Sequence, residues 1–162
     1  MGGAARADSS GSRPVWLHSF LIKRHVICYD SRAMPDRSED WIKQGVRNLE
    51  QAKASQADGR HEWACFAAHQ AAELAVRGLH LAHRQEAWGH VVARLLRDLP
   101  FDVGEELVEK AKVLDNFYVP TRYPNGHVEG APFQHYGIYQ SQEAIQHAGE
   151  IVEFVRAHLA HS

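Results

Sequence analysis

The chain has 162 residues, of which 44% are apolar and 23% are charged, and its formal net charge is −2 at pH 7. This length favours one domain with a hydrophobic core, and the composition is that of a soluble globular protein. The small net charge excludes the strong positive field by which basic proteins attract nucleic acid non-specifically. Residues 1–33 hold five basic and two acidic side chains, which leaves −5 for the remainder. Any contact with RNA would therefore have to be local.

The cysteine spacing and the lengths of the apolar runs indicate in which cellular compartment the protein is expected. Cys28 and Cys65 have no metal-binding or redox spacing, and Cys65 falls in an apolar helical pattern that predicts core packing. No apolar run approaches the length that spans a bilayer, and residues 15–22 lack the order of a signal peptide. We expect a cytoplasmic protein that has no membrane contact and needs no metal ion or cofactor.

Residues 1–33 are predicted to be a disordered or dispensable N-terminal extension. Residues 1–13 are mainly Gly, Ala, Ser and Arg, which bury too little apolar surface to fold. Residues 14–33 are either a short accessory segment or sequence upstream of a start at Met34. The folded domain is predicted to occupy residues 34–162.

Apolar residues recur at helical spacing from Ser38 onward. The first helix is expected to have Ser38 as its N-cap and to end before Asp58 and Gly59. The second helix, about 61–83, carries one side of mostly larger residues and a neighbouring face of small ones. The larger side is Trp63, Phe66, Ala67, Gln70, Leu74, Gly78 and Leu81, and the small face is Ala64, Ala68, Ala71, Ala72 and Ala75. A small face lets another helix approach closely, which suits a central helix.

Three further helices complete the predicted fold. A short helix lies between His90 and Pro100, a fourth opens with Asp102 as N-cap and Glu105 as its acidic third position, and a last helix spans about 140–160. No segment shows the alternation typical of strands. The pattern predicts an all-α, up-and-down bundle of four to five helices.

The connection over residues 119–138 precedes the last helix and is rich in Gly and Pro. So long a structureless connection is uncommon in a compact domain and is usually functional or disordered. Tyr123, Phe133 and Tyr136 are expected to fold it back onto the bundle, which favours a functional loop.

Two segments carry recognisable motifs: residues 70–77 read Gln-Ala-Ala-Glu-Leu-Ala-Val-Arg, and residues 118–124 read Tyr-Val-Pro-Thr-Arg-Tyr-Pro. These segments resemble the HEPN family (higher eukaryotes and prokaryotes nucleotide-binding domain). The family's usual text is Gln-Ala-x-Glu-x-x-x-[Lys/Arg] on one helix, followed later by Tyr-x-x-x-Arg-Tyr-Pro. The resemblance covers about residues 38–160 and is to the Arg-Tyr-Pro branch.

The resemblance implies one possible enzymatic activity. HEPN members that cut RNA carry an Arg-x4–6-His motif across a homodimer, and Arg122 and His127 have this spacing. Such an arginine stabilises the phosphate in the transition state, while the histidine moves a proton, so no metal is required. Tyr123 stands where those members usually have a polar residue, and Pro124 interrupts any helix there. The Arg-Tyr-Pro branch has a variable histidine.

The resemblance also implies a non-catalytic function. Such a protein would be a homodimer that pairs with a minimal nucleotidyltransferase in a two-gene, toxin–antitoxin-like system, and it would bind nucleotide or substrate in its groove. The candidate binding residues are Gln70, Glu73, Arg77, Tyr118, Arg122 and Tyr123. A protein-interaction scaffold is a third hypothesis.

Simpler structural roles compete at several of these positions. Glu73 and Arg77 have the spacing of an intrahelical ion pair. Arg122 could instead tie the loop to Glu73 or Asp115, and Tyr118 could close the core.

Four histidines on the second helix suggest a metal site by their spacing. They are His61, His69, His80 and His83, and Glu73 falls at a similar spacing. Because no complete ligand set accompanies them, solvated histidines are expected here.

Overall fold

The structure is a computed structural model, and it describes residues 36–160. The predicted N-terminal extension lies outside the described residues, so its role stays a prediction. Five helices run in the order α1 (Ser38–Ala57), α2 (His61–Ala82), α3 (Val92–Arg97), α4 (Glu105–Asp115) and α5 (Ile138–Leu159). Two short 3₁₀ turns, Pro124–Gly126 and Pro132–Gln134, lie between α4 and α5. The predicted all-α bundle is confirmed.

α1 and α2 pack closely because glycine stands at two points of contact. A Cβ on Gly45 would lie 2.9 Å from the carbonyl oxygen of Ala71. A Cβ on Gly78 would lie 2.5 Å from Cγ1 of Ile42. These distances leave no room for a side chain, so the two helices meet nearly backbone to backbone.

α2 is the central helix, and its small face forms the core. The alanines at 64, 68, 71, 72 and 75 are all fully buried. Part of the side with larger residues faces solvent instead, since Trp63 is 48% exposed and Leu81 is 38% exposed. α5 packs on α2 as well. The expectation that small residues permit close approach is therefore confirmed.

Ser141 joins α5 to the α1–α2 pair. Its hydroxyl is the partner of the Gln56 side-chain amide at 2.9 Å and of the His61 ring nitrogen Nδ1 at 3.0 Å. The Ser141 side chain is fully buried. This polar contact fixes the start of α5 against the turn between α1 and α2.

The helix starts differ from the predicted N-caps. α1 begins at Ser38 itself, and the Asp36 carboxylate accepts a hydrogen bond from the Ser38 backbone N–H at 2.9 Å. α4 begins at Glu105 after Gly104, with no side-chain cap from Asp102. The predicted N-caps were therefore wrong, because Ser38 is already the first helical residue of α1 and Gly104, not Asp102, directly precedes α4.

α3 receives its cap from a residue distant in sequence. The two carboxylate oxygens of Asp115 accept hydrogen bonds from the backbone N–H groups of Val92 at 2.7 Å and Ala93 at 3.1 Å. A carboxylate at a helix N-terminus satisfies donors that have no intrahelical partner. The last residue of α4 thus fixes the first turn of α3.

The connection after α4 folds back only in part. Tyr136 packs edge-on against Phe117, with ring centroids 5.9 Å apart. Tyr123 is 50% exposed and Phe133 is 65% exposed, so these two do not anchor the loop in the core as expected. Over residues 36–160, no helix combines the length and apolarity that crossing a membrane requires.

Candidate functional site

Glu73 is the centre of a polar network on α2. Its side chain is only 4% exposed. It accepts hydrogen bonds from Gln70 Nε2 at 3.1 Å, Arg77 Nε at 2.9 Å and His90 Nδ1 at 2.9 Å. Burying a carboxylate is costly unless it is paired and hydrogen-bonded, and these three partners give Glu73 both an ion pair and hydrogen bonds. The predicted Glu73–Arg77 ion pair is present.

Arg77 also fixes the connection between α2 and α3. Its Nη1 donates to the Ala87 carbonyl at 2.7 Å, and its Nη2 donates to the Gly89 carbonyl. Gly89 has φ +84°, a left-handed conformation that favours glycine. The planar guanidinium therefore holds the turn that presents His90.

His69 also holds the turn that presents His90. It is fully buried, and its Nε2 donates to the His90 carbonyl at 3.1 Å, because a carbonyl oxygen only accepts. Its Nδ1 lies 3.3 Å from Gln70 Nε2, which matches an acceptor in the neutral ring. The same Nε2 is 3.4 Å from an Asp115 oxygen. His90 is thus held through both its backbone and its ring.

Arg122 lies on a cluster of aromatic rings. Its Cζ is 4.5 Å from the Phe66 ring centroid, 4.7 Å from that of Tyr118 and 5.1 Å from that of Tyr123. Its Nε donates to the Tyr118 carbonyl at 2.9 Å. Within the described residues it forms no ion pair with Glu73 or Asp115, which were its predicted partners in the simpler structural role. Cation–π contacts hold the guanidinium in place instead.

His127 is part of the internal packing of the loop. Its Nε2 donates to the Pro120 carbonyl at 2.8 Å, and its ring stacks on His135 with centroids 4.0 Å apart. Gly126 permits this turn, since a Cβ there would lie 2.9 Å from Cα of Pro120. The structure therefore accounts for His127 by contacts within the connection.

An open groove of about 350 Å³ runs between α1 and α2. One wall consists of Asn48, Gln51, Ser55 and Asp58, and the other of Arg60, Trp63, Phe66, Ala67 and Gln70. Phe66 is also a ring under Arg122, and Gln70 also contacts Glu73. The groove therefore adjoins both the arginine and the polar network.

The sequence-based prediction missed His90, Phe66 and the capping role of Asp115. His90 lies 17 residues from Glu73 in an irregular connection, so no helical period relates them. The signal that existed was Gly89, whose left-handed turn directs the chain back toward α2.

The prediction of solvated histidines was wrong for two of the four. His69 and His80 are buried, and His80 Nε2 donates to the Leu95 carbonyl at 2.8 Å. In the part of the chain that the structure describes, no group of three or more His, Cys, Asp and Glu side chains could hold a metal ion.

Cys65 is fully buried, as its helical pattern predicted. Burial, with a smaller contribution from the charges of Glu62 and Glu143, raises the pKa of its thiol to about 12. A thiol that keeps its proton is a poor nucleophile, so Cys65 serves packing.

The family follows from comparison with known proteins. A model of the HEPN domain matches residues 38–158, which include all five helices but for the last residue of α5. The chain belongs to the HEPN family.

Solved structures agree with this HEPN assignment. TT1696 from Thermus thermophilus is 50% identical, with a TM-score of 0.74 over 76% of this chain and 98% of that chain. ST0689, an archaeal HEPN homologue, is 38% identical, with a TM-score of 0.67 over 77% and 98%. A HEPN domain protein from Thermotoga maritima is 28% identical, with a TM-score of 0.61 over 75% and 98%. No curated protein matches the chain.

Proposed function

We propose that this HEPN-domain protein binds a nucleotide at Arg122, as the partner of a minimal nucleotidyltransferase in a two-gene, toxin–antitoxin-like system. The observation that carries the proposal is the state of the Arg122 guanidinium. Three rings hold it, and only its Nε has a hydrogen-bond acceptor among residues 36–160. The Nη groups remain for a phosphate, which a guanidinium binds through two parallel hydrogen bonds.

The groove beside Arg122 supports the same proposal. Its volume falls in the range of about 300–1,000 Å³ that is typical of small-molecule sites. Asn48, Gln51 and Gln70 supply amide groups that both donate and accept hydrogen bonds, as the edge of a nucleobase requires. Trp63 supplies an exposed ring for stacking. Glu73 and Arg77 would shape the wall nearest the phosphate.

A homodimer is part of the proposal, and exposed apolar side chains support it. Tyr123, Phe133, Ile138 and Tyr139 are between 49% and 83% exposed, and all lie in the connection before α5 or in its first turn. Large apolar side chains grouped on a surface are typical of protein contact sites. The same residues would serve the scaffold hypothesis.

The ribonuclease hypothesis has weaker support at His127. A general base must reach the 2′-hydroxyl proton, whereas the His127 ring already donates to Pro120 and stacks on His135. We therefore rank nucleotide binding above metal-independent RNA cleavage through Arg122 and His127.

Isothermal titration calorimetry with ATP and GTP tests the proposal. We expect the wild type to bind one of them, and Arg122→Ala to bind at least about tenfold more weakly because charge-assisted hydrogen bonds are lost. Arg156→Ala is the matched control, since this exposed arginine forms an ion pair with Glu153 on α5. Its affinity should equal that of the wild type.

Co-purification with a nucleotidyltransferase encoded beside this chain tests the partnership. Absence of both nucleotide binding and partner binding would refute the proposal and leave the scaffold hypothesis.

A further inference from the structure

We propose that protonated His90, oriented by the buried Glu73 carboxylate, is a second ligand for the phosphate bound at Arg122. The inference rests on the proposed nucleotide site and adds a proton-dependent ligand to it. It predicts a preference for nucleotides with a phosphate chain and a binding affinity that rises as the pH falls.

The His90 ring is exposed, yet contacts with its neighbours hold it in one orientation. Its side chain is 54% exposed, yet Nδ1 contacts Glu73 at 2.9 Å. Its ring stacks on Tyr118, with centroids 4.8 Å apart and planes inclined by 17°. Its backbone carbonyl accepts from His69. Ordering an exposed side chain costs conformational entropy. In this ordered ring, Nε2 has no hydrogen-bond partner among residues 36–160.

His90 and Arg122 both contact the Tyr118 ring. The His90 ring centroid lies 4.8 Å from the Tyr118 centroid, and the Arg122 Cζ lies 4.7 Å from the same point. A phosphate group has several acceptor oxygens, and a di- or triphosphate chain extends them over a longer distance. The His90 ring centroid and the Arg122 Cζ are no farther apart than the sum of their two distances from the Tyr118 centroid, a separation that the phosphate chain of one nucleotide could bridge.

The charges around His90 make its protonation decisive. Glu73 and Arg77 on α2 form an ion pair at 2.9 Å, so their charges balance. Asp115 on α4 is engaged by two backbone N–H groups of α3. His69 is held by hydrogen bonds to the same turn, and Tyr118 supplies the stacked ring. Arg122 also lies against Tyr118, and its positive charge forms no ion pair among residues 36–160. A second positive charge can come from His90.

The hydrogen bond to Glu73 determines which nitrogen responds to pH. With the Nδ1 proton donated to the carboxylate, neutral His90 presents a bare Nε2, which repels phosphate oxygens. Protonation adds an Nε2–H that can donate to phosphate. Histidine is the side chain whose charge ordinarily changes between weakly acidic and neutral pH.

Calorimetry with ATP and adenosine at pH 5.5, 6.5 and 7.5 tests the inference, with each variant measured against the wild type on the same ligand. We expect the ratio of wild-type to His90→Gln affinity for ATP to rise at least about fivefold between pH 7.5 and 5.5, as one charge-assisted hydrogen bond forms. Because the ligand is the same, protonation of ATP itself cancels in this ratio. The ratio for adenosine should stay constant.

Two further variants keep the test independent of folding. His90→Arg carries a permanent charge and should bind ATP more tightly than His90→Gln at pH 7.5. His83→Gln, which replaces a histidine packed edge-on against Phe101, should follow the wild type at every pH. A constant ratio of wild-type to His90→Gln affinity would overturn the role of His90 and leave the Arg122 site intact. If the wild type binds no nucleotide at any pH, the nucleotide site proposed at Arg122 fails, and this inference fails with it.

Discussion

The hydrogen-bond partners of the histidine rings distinguish rings that hold the fold together from the ring of His90. His69, His80, His127 and His135 all direct Nε2 to a backbone carbonyl. A carbonyl fixes the tautomer and orientation of a neutral ring. His90 instead donates from Nδ1 to the Glu73 carboxylate at 2.9 Å, and its Nε2 has no hydrogen-bond partner among residues 36–160. The exposed, unpartnered Nε2 distinguishes His90 from these four histidines.

Replacement of His127 is the first prediction at this scale. His127→Ala should lower the free energy of unfolding by about 1–2 kcal/mol, because the Pro120 hydrogen bond and the ring contacts are lost. Urea unfolding measures this loss. Cleavage of single-stranded RNA in EDTA should not depend on the substitution.

The contrary result would be informative about the reaction. RNA cleavage by the wild type that both His127→Ala and Arg122→Ala abolish would restore the ribonuclease hypothesis. Equal cleavage by all three preparations would indicate a contaminant.

The sequence predicted the residues of the site that lie in regular patterns or family motifs. Gln70, Glu73 and Arg77 share a helical stripe, and their mutual contacts agree with that spacing. His90 joins them only through the path of an irregular turn, which depends on the Arg77 contacts to two carbonyls. Such tertiary contacts leave no periodic signal.

At the scale of the helix, apolar periodicity predicted the positions of the helices well, whereas the local sequence predicted their N-caps poorly. The second helix was expected at about 61–83 and spans His61–Ala82, while the last was expected at about 140–160 and spans Ile138–Leu159. The caps of α1 and α3 come from Asp36 and Asp115. Asp115 lies 23 residues from Val92, whose N–H donates to it, and this separation is beyond the reach of a local motif.

The close α1–α2 contact gives the prediction that belongs to this scale. Gly45→Ala should lower the free energy of unfolding by about 1–3 kcal/mol, because the new methyl group meets the Ala71 carbonyl at 2.9 Å. Thermal or urea unfolding measures the change.

Gly149→Ala is the matched control for that substitution. This glycine lies inside α5, and a Cβ there would meet nothing within 4 Å. Alanine should therefore raise the free energy of unfolding by about 0.5–1 kcal/mol through its helix propensity. Equal effects of the two substitutions would contradict the packing described for α1 and α2.

Across the whole molecule, the core joins helices that are distant in sequence. Ser141 on α5 contacts Gln56 and His61, which precede it by 85 and 80 residues. The bundle class was predictable because all long apolar patterns had helical spacing. The pairing of α5 with α2 was not predictable, since several arrangements of the helices bury the same apolar faces.

Global stability should fall at alkaline pH through Cys65. Its pKa is raised to about 12 in the folded protein, whereas an unperturbed thiol titrates near about 8.5. Above that lower value the unfolded chain loses the proton and the folded chain keeps it. The stability that the protonated Cys65 thiol gives the folded state is therefore fully present below the pKa of the unfolded chain. It is lost as the pH rises toward the pKa of the folded protein, by about 1.4 kcal/mol per pH unit.

Urea unfolding of the wild type and Cys65→Ala between pH 9 and 11 measures this effect. The variant is less stable at neutral pH because it loses the sulfur atom from the core, but its stability should decline less steeply with pH. Parallel declines would show that Cys65 does not control the alkaline transition.

The position of α5 in the chain has a consequence for synthesis on the ribosome. α1 and α2 are adjacent in sequence and can pair as soon as both have emerged. The side of α2 that α5 covers stays open to water until residues 138–159 are made. The buried residues of α2 include Cys65, Val76 and Leu79 as well as alanines. A nascent chain that pauses before α5 therefore leaves part of this apolar surface exposed to other nascent chains.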